Sequence, residues 1–346
     1  MTGAPRPESA RPLVSVIVPV RDEEAHLDHL LACMRAQEVE GDVEFLLVDG
    51  RSRDRSRELV EAAAARDPRI RLLDNPHATT PHALNIGLAS ARGEYVARMD
   101  AHASYPPGYL AAGIERVRRG DVVWAAGPAL PRRGRGWSSV VTLALSSPLG
   151  VGGSPFRRLP AGEIETDTAF AGVLRAETLR RLGGWDEGWP VNQDAELAAR
   201  VRAAGGRIVC LPEMAAEVVP RQTLRGLARQ YWRYGQYRVK TAVRHPDSLR
   251  RSHLLPPGLV VACACAVAAP RPLRAAARLA PALYGTVLLA AAGRLARDGA
   301  RPADTARLPA ALATMHLAWG AGFLAGAARF GPPLRAVSRA LSGRRA

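Results

Sequence analysis

Three places in the sequence hold residues whose types and spacing could do chemistry. The first is Tyr95-Val96-Ala97-Arg98-Met99-Asp100-Ala101-His102, an apolar run ending in a carboxylate and, two residues on, an imidazole. Ser104, Pro106, Pro107 and Gly108 follow at once, so the run reads as a strand that delivers Asp100 to its carboxyl end. Open α/β sheets bind ligands at such ends. Asp100 and His102 could face one metal ion; a polar strand end with a capping Asp is the plainer alternative. The second place is Asn192-Gln193-Asp194-Ala195-Glu196, which opens a helix running to about Ala203. Here Asp194 either caps the helix behind Asn192 or stands as a fixed, ionised carboxylate able to take a proton from a hydroxyl. The third is a pair of turns, Arg21-Asp22-Glu23-Glu24 and Asp49-Gly50-Arg51-Ser52, each following an apolar run.

The elements that must position these residues alternate regularly. Leu13 to Val20 is nearly continuous apolar and β-branched, as in a strand buried on both faces of a parallel sheet. A helix follows to about Ala36, then a strand over Val43–Val48, a helix through Ala65, and a short strand over Ile70–Leu73. A helix over Pro81–Ala91 precedes the strand Glu94–Met99. A helix over Pro107–Arg119 and a strand over Val122–Ala126 come next, giving an open, mostly parallel α/β sheet. Gly127 to Pro160 is rich in Gly, Pro, Ser and Arg, with a helix around Val140–Leu145 packing near an acceptor or a membrane. Thr166–Gly172 reads as a strand, Arg175–Leu182 as a helix, and Gly183-Gly184-Trp185-Asp186-Glu187 as a turn. Its Trp185 suits either a sugar ring or the core.

A dinucleotide-binding domain would need G-x-G-x-x-G after the first strand, where this chain has Val20-Arg21-Asp22-Glu23-Glu24. The glycines are absent, and three carboxylates would repel a pyrophosphate. A nucleotide could instead be held by its base and ribose, with Asp49 accepting from a base N–H or a ribose hydroxyl. Its diphosphate would then need a cation at Asp100 and His102; magnesium takes most of its ligands from phosphate, whereas manganese accepts imidazole more readily.

Four motifs in order, VSVIVPVRDEE, FLLVDGRSRD, ALNIGLASARGEYVARMDAH and WPVNQDAEL, resemble glycosyltransferase family 2, inverting enzymes of GT-A fold. Within it the chain is most similar to exopolysaccharide transferases of the succinoglycan type, where Arg-x-Asp-Ala-His replaces the usual Asp-x-Asp. The resemblance covers about residues 13–240. It implies that Pro19, Glu24 and Asp49 line the nucleoside pocket and that Asp100, with His102, holds a divalent metal (Mn2+ or Mg2+) and the diphosphate. Asp194 falls in the family's acidic pair as the catalytic base, with Gln193 where Glu is common; Gln193 and Trp185 would lie on the acceptor side. The common Asp-Asp-Gly-Ser turn reads Asp49-Gly50-Arg51-Ser52, so one carboxylate is missing. On a helix from Gln222, Arg229-Gln230-Tyr231-Trp232-Arg233 is similar to the family's Gln-x-x-Arg-Trp motif in composition only, and Arg233 or Arg229 is expected at the diphosphate. Its alternating aromatics and Arg also suit an interfacial helix touching lipid.

The net charge of +16 is unevenly placed: residues 1–250 carry 35 Lys+Arg against 30 Asp+Glu, and residues 251–346 carry 13 Arg against 2 Asp. The basic quarter is also the most apolar, which points to a membrane rather than to nucleic acid. Ser252–Pro270, Leu279–Gly293 and Leu308–Ala328 lack formal charge, and two or three of them are expected to span; Arg in every connecting segment leaves the orientation open. The four cysteines form no zinc spacing and fit a reduced compartment. Met1 to Arg11 is polar and Pro-rich, without an apolar signal core.

The expected organisation is a disordered lead-in over 1–12, a GT-A domain over 13–245, a membrane region over 252–328 and a basic tail over 329–346. The expected protein is a membrane-anchored glycosyltransferase facing the cytoplasm. It takes a nucleotide-sugar donor and a lipid-linked or glycan acceptor, in exopolysaccharide or cell-envelope glycan synthesis. Transfer to polyprenyl phosphate is the enzymatic alternative, and a non-catalytic membrane scaffold of the same fold is the other.

Overall fold

The apolar runs form one sheet. In the computed structural model, which describes residues 13–151 and 157–342, β1 (Val14–Val20), β2 (Val43–Asp49), β3 (Ile70–Asp74) and β4 (Tyr95–Arg98) pair in parallel in the order β3-β2-β1-β4. The expected lead-in and the end of the basic tail lie outside the described residues. Helices α1 (Glu24–Arg35), α2 (Ser56–Arg66) and α3 (Thr80–Ser90) connect these strands. β1 is apolar throughout because it feeds two cores: Val14, Val16, Val18 and Val20 pack with Leu27, Leu30 and Met34 of α1, and Ile17 packs with Leu84 and Leu88 of α3. Gly87 lies inside α3 where that second contact is tightest, since a Cβ there would collide with Ile17 Cγ2. The close approach outweighs the roughly 1 kcal/mol that glycine costs a helix.

Beyond β4 the chain adds β5 (Ala103–Ser104), α4 (Tyr109–Arg118), β6 (Trp124–Ala126), β7 (Ala129–Pro131), α5 (Trp137–Ser146), α6 (Pro148–Val151), β8 (Ile164–Glu165) and β9 (Gly172–Arg175). Then come α7 (Ala176–Arg181), α8 (Gln193–Ala203), β10 (Ile208–Cys210) and β11 (Ala216–Val218). The main sheet runs β3-β2-β1-β4-β9-β6-β10-β8, with β9 antiparallel to both β4 and β6, and β5-β11-β7 form a small second sheet. One expectation fails here. Thr166–Ala171 is a loop, and the strand begins at Gly172. Thr166 Oγ1 donates to the Thr168 carbonyl at 2.9 Å and Ala171 takes φ of 52°, so the segment turns rather than extends, while the Thr166 N–H donates to the Ile208 carbonyl and Trp124 Nε1 to the Ala171 carbonyl.

Glu44, near the start of β2, is 3% exposed and accepts from Ser15 Oγ (2.7 Å), the Arg92 backbone N–H (2.8 Å) and the Arg71 and Arg92 guanidiniums (3.1 and 2.9 Å). Burial pushes its carboxyl up, but these donors together hold it below its ordinary value. Such a group stabilises the fold above its unfolded pKa and loses that contribution as pH falls through the depressed folded one. Glu44→Ala is expected to cost about 2–3 kcal/mol at neutral pH in a denaturant titration, and the gap to the parent to close below about pH 4.

Two compact units make up the chain: one runs to Leu130 and from Arg158 to Val218, the other takes Pro131–Arg157 and everything from Val219. The second unit is helical, with α9 (Leu224–Arg244), α10 (Leu255–Ala268), α11 (Arg271–Ala277), α12 (Leu279–Arg297), α13 (Pro302–Phe330) and α14 (Leu334–Ser342). Val140, Val141 and Ala144 of α5 share a core with Leu227, Leu308, Leu312 and Met315, and Ser139 Oγ donates to Asp304 at 2.8 Å. Three helical stretches, Arg251–Ala268, Leu273–Arg297 and Pro302–Phe330, are long and apolar enough to cross a membrane.

Candidate active site

β4 carries Asp100 to the carboxyl edge of the sheet, and the residue two before it shapes what the carboxylate can do. Arg98 is 6% exposed and its guanidinium joins two carboxylates. Nε donates to Asp100 Oδ1 at 2.7 Å and one terminal nitrogen to Oδ2 at 3.1 Å; the other terminal nitrogen donates to both oxygens of Asp194, at 2.7 and 2.8 Å. The planar fork thus joins two carboxylates, Asp100 and Asp194, that are far apart in sequence. Behind it, the Asp100 backbone N–H donates to Tyr105 Oη at 2.6 Å, and Tyr109 Oη accepts from the Gly172 N–H at 2.9 Å. The two tyrosine rings meet edge to face, with centroids 4.8 Å apart.

Burial pushes both carboxyls up, but with opposite net results. For Asp100 burial is the largest single influence, but the Arg98 charge, the nearby His102 and the Arg98 hydrogen bonds together outweigh it and hold the group below the usual aspartate range. For Asp194 burial wins over Arg98, the Asp100 charge adds to it, and the group stays raised. Two carboxylates whose environments drive them apart mark an assignment of roles: the lowered one remains an anion, and the raised one is the better proton acceptor.

Asp194 lies in the first turn of α8, and a network tied to the preceding turn fixes that helix. Asn192 at the N-cap takes a left-handed φ of 62° and makes no side-chain cap, so Asp194 is turned to Arg98 and not to its own helix end. Glu196, fully buried, holds Arg200, which donates to the carbonyls of Leu182 and Gly184. Asn85 of α3 closes the turn from the other side, accepting from Trp185 N at 2.9 Å and donating to Trp185 O at 2.8 Å and Glu187 at 3.0 Å. Asn85→Ala should cost about 1–3 kcal/mol by leaving the Trp185 backbone groups unpaired, and should lower kcat while donor affinity holds, a split read from steady-state kinetics beside direct binding.

An open cleft of about 220 Å³ lies at the carboxyl ends of the strands, lined by residues that include Pro19, Gly50, Asn75, Arg98, Asp100 and His102. Pro19, Asp100 and His102 therefore come together as their sequence positions imply. Glu24 does not line it: its carboxylate accepts from the Arg55 N–H at 3.2 Å, while Glu23 lines the cleft and meets His102 Nδ1 at 3.3 Å. The left-handed Asp22 (φ 54°) turns the chain between β1 and α1, and a run of three acids does not show which one the turn faces inward. Asp49 is 4% exposed beneath the lining residues Gly50 and Asn75, where it accepts from Ser52 N and lies 3.8 Å from Arg57. Trp185 is 2% exposed among Leu84, Leu88 and Leu197, so its ring is core rather than an open stacking platform. Among the described residues its Nε1–H has no partner within hydrogen-bonding geometry. Gln193 opens α8 beside Asp194. Arg233 is exposed on α9 of the second unit, with no carboxylate partner among the described residues. Arg98 and Asn85 are the site residues that sequence reasoning missed.

The donor set suits a divalent cation only in part. Among the described residues no three His, Cys, Asp or Glu side chains converge as a metal cage. Arg98 occupies one acceptor direction on each Asp100 oxygen, which leaves others open toward the cleft. Asp100 with His102 fits a cation that completes its shell with phosphate oxygens and water.

A mostly parallel sheet with an antiparallel β9 insertion, a cleft at its carboxyl edge and acids from β4 and α8 define the GT-A architecture of nucleotide-sugar transferases. Solved structures of this fold match over nearly the whole chain. The mannosyltransferase PcManGT from Pyrobaculum calidifontis, in complex with GDP-Man and Mn2+, superposes with a TM-score of 0.53 at 22% identity, covering 97% of this chain and 89% of that one. Residues 1–349 of S. aureus TarS do so at 0.51 and 15%, covering 92% and 91%. In sequence, residues 15–148 match the family model Glycosyl transferase family 2. The chain is 29% identical over 313 residues to the succinoglycan biosynthesis protein ExoA of Rhizobium meliloti, covering 89% of this chain and 93% of that protein. It is 36% identical over 151 residues to the undecaprenyl-phosphate 4-deoxy-4-formamido-L-arabinose transferase of Pseudomonas aeruginosa, covering 40% of this chain and 43% of that one.

Proposed function

We propose that the protein is an inverting, membrane-anchored glycosyltransferase that moves a sugar from a nucleoside diphosphate onto a hydroxyl of a lipid-linked or membrane-proximal glycan acceptor. The observation that carries this reading is the Asp100–Arg98–Asp194 bridge, which holds a proton acceptor at a fixed distance from the carboxylate at the diphosphate end of the cleft. The nucleoside lies between the ends of β1 and β2, against Pro19 and Gly50 with Asp49 beneath. The diphosphate reaches Asp100 and His102. A divalent cation there, when bound, neutralises charge that builds on the leaving group.

The residues of the chain do the rest. Asp194 takes the proton of the acceptor hydroxyl as its oxygen bonds to the anomeric carbon; the bond to the diphosphate oxygen breaks on the opposite face, and the configuration inverts. Burial makes Asp194 a better base than a solvated aspartate, and Arg98 keeps it ionised and aimed. Gln193, next to it, lies on the acceptor side. The domain works on the cytoplasmic side, where nucleotide sugars are made.

A second reading, with polyprenyl phosphate as the nucleophile, draws on the similarity to the undecaprenyl-phosphate transferase. A phosphate oxygen needs no base. Transfer assays with Asp194→Asn separate the two: near-complete loss supports the hydroxyl acceptor, and substantial retained turnover overturns it in favour of phosphate.

A further inference from the structure

The turn after β1 carries three acids in a row, and the structure gives them different work. Its backbone is knitted to the turn after β2: the Asp22 N–H donates to Ser52 Oγ at 3.1 Å, the Glu23 N–H to Ser56 Oγ at 2.8 Å and the Glu24 N–H to Asp54 Oδ2 at 3.0 Å. In return the Asp22 carboxylate accepts from the Arg53 N–H at 2.7 Å, and that of Glu24 from the Arg55 N–H at 3.2 Å. Those two acids clasp the turns together. Glu23 stands at the N-cap of α1, where a side chain ordinarily accepts from the first N–H groups of the helix, yet it makes no side-chain cap. It lines the cleft, and its Oε1 lies 3.3 Å from His102 Nδ1.

A carboxylate oxygen only accepts, so Nδ1 of His102 carries the hydrogen of this contact, and in the neutral ring the lone pair is on Nε2. Imidazoles that ligate metals are held in this way. The second ring nitrogen donates to a carboxylate, which fixes the tautomer and the ring and makes the ligating nitrogen more basic. Glu23, Asp100 and His102 line the same cleft, but among the described residues no three such side chains converge as direct ligands. That spacing fits Asp100 and His102 as the ligating pair with Glu23 behind the imidazole.

We infer that Glu23 is a positioning residue that sets His102 as a nitrogen ligand and so makes the cation site prefer manganese to magnesium, an assignment that rests on the function proposed above. Magnesium draws its shell from phosphate oxygens, water and a carboxylate, and Asp100 serves it without the imidazole. Manganese accepts the imidazole as well, so His102 adds affinity for manganese and little for magnesium. Glu23 acts only through His102. Its removal therefore weakens manganese binding and leaves magnesium binding nearly as it was.

The test is cation binding by the purified full-length protein with UDP and, separately, with GDP, against a nucleotide-only control. Mn2+ is read from the electron paramagnetic resonance signal of the free ion, and Mg2+ from its competition with Mn2+. Glu23→Leu is expected to lower Mn2+ affinity about tenfold or more, with Mg2+ affinity nearly unchanged. Glu23→Gln, which keeps the shape and an accepting oxygen, should retain most of the Mn2+ affinity. His102→Ala should lose at least as much as Glu23→Leu, and the double variant should bind Mn2+ no more weakly than His102→Ala alone, since the two residues act as one unit. Unchanged Mn2+ affinity in Glu23→Leu, or additive losses in the double variant, would overturn the inference. Equal loss of both cations in Glu23→Leu would overturn it too, because Glu23 would then be structural. Unchanged Mn2+ affinity in His102→Ala would overturn it while leaving the nucleotide cleft in place. A parent protein that binds neither cation with either nucleotide would overturn the proposed function itself, and this inference with it.

Discussion

Asp194→Asn is expected to lower kcat/KM by roughly 10²–10⁴-fold, the range a positioned general base supplies. Affinity for the nucleoside diphosphate should be nearly unchanged, because the cleft residues are intact. The same variant should be as stable as the parent at neutral pH, or slightly more stable. The reason is the direction in which burial moves Asp194. Its folded pKa is raised, so its ionisation opposes folding as pH rises through and beyond the ordinary aspartate value, and replacing the charge removes that penalty. Loss of activity with retained or increased stability marks a residue kept for chemistry. A variant that lost both together would mean that Asp194 is chiefly structural, holding α8 to β4.

Arg98→Met carries the other large effect, and it acts on both properties. Two buried carboxylates would face each other without their shared cation, at a cost of about 3–5 kcal/mol, measured by denaturant unfolding. Removing a positive charge disfavours the ionised form of both groups, so both carboxyls move up. A base must be ionised to act; activity falls as pH drops through its pKa, and the acid limb of kcat/KM should therefore move to higher pH by about one unit or more. Arg98→Lys keeps the charge but cannot span both partners. It should recover much of the stability and little of kcat. Equal recovery of both would reduce Arg98 to a charge that balances the core.

The fold was legible where local and global signals agree. β1, whose Val residues and Ile17 serve two cores, could only read as a doubly buried strand, and the alternation through β4 followed from short connections. The failure at Thr166–Ala171 has a definite cause: the segment is apolar enough for a strand, but the Thr166 hydroxyl bonds back to Thr168, Ala171 turns left-handed, and the other partners of its backbone, Ile208 and Trp124, lie far away in sequence. Asp100 and Asp194 were each visible as acids at an element's end. That one arginine joins them was not, because a contact between residues 98 and 194 leaves no local pattern. Asn85 was hidden in the same way, its partners lying in the Trp185 turn. For Glu23 and Glu24, neighbouring acids on a turn, the inward one is set by the left-handed Asp22, which composition does not reveal. Likewise, nothing local in Trp137–Ser146 shows that it shares a core with helices more than 80 residues away.

The central claim is that the cleft at Asp100 holds a nucleoside diphosphate and that Asp194 supplies chemistry but not affinity. Calorimetric titration of the purified full-length protein with UDP and with GDP, in the presence of manganese, tests it without any acceptor. The account predicts that at least one of the two binds, that Asp100→Asn weakens binding at least about tenfold, the loss of one charge-assisted contact, and that Asp194→Asn leaves it unchanged. Binding of neither nucleotide, or equal binding by the Asp100→Asn protein, would contradict it.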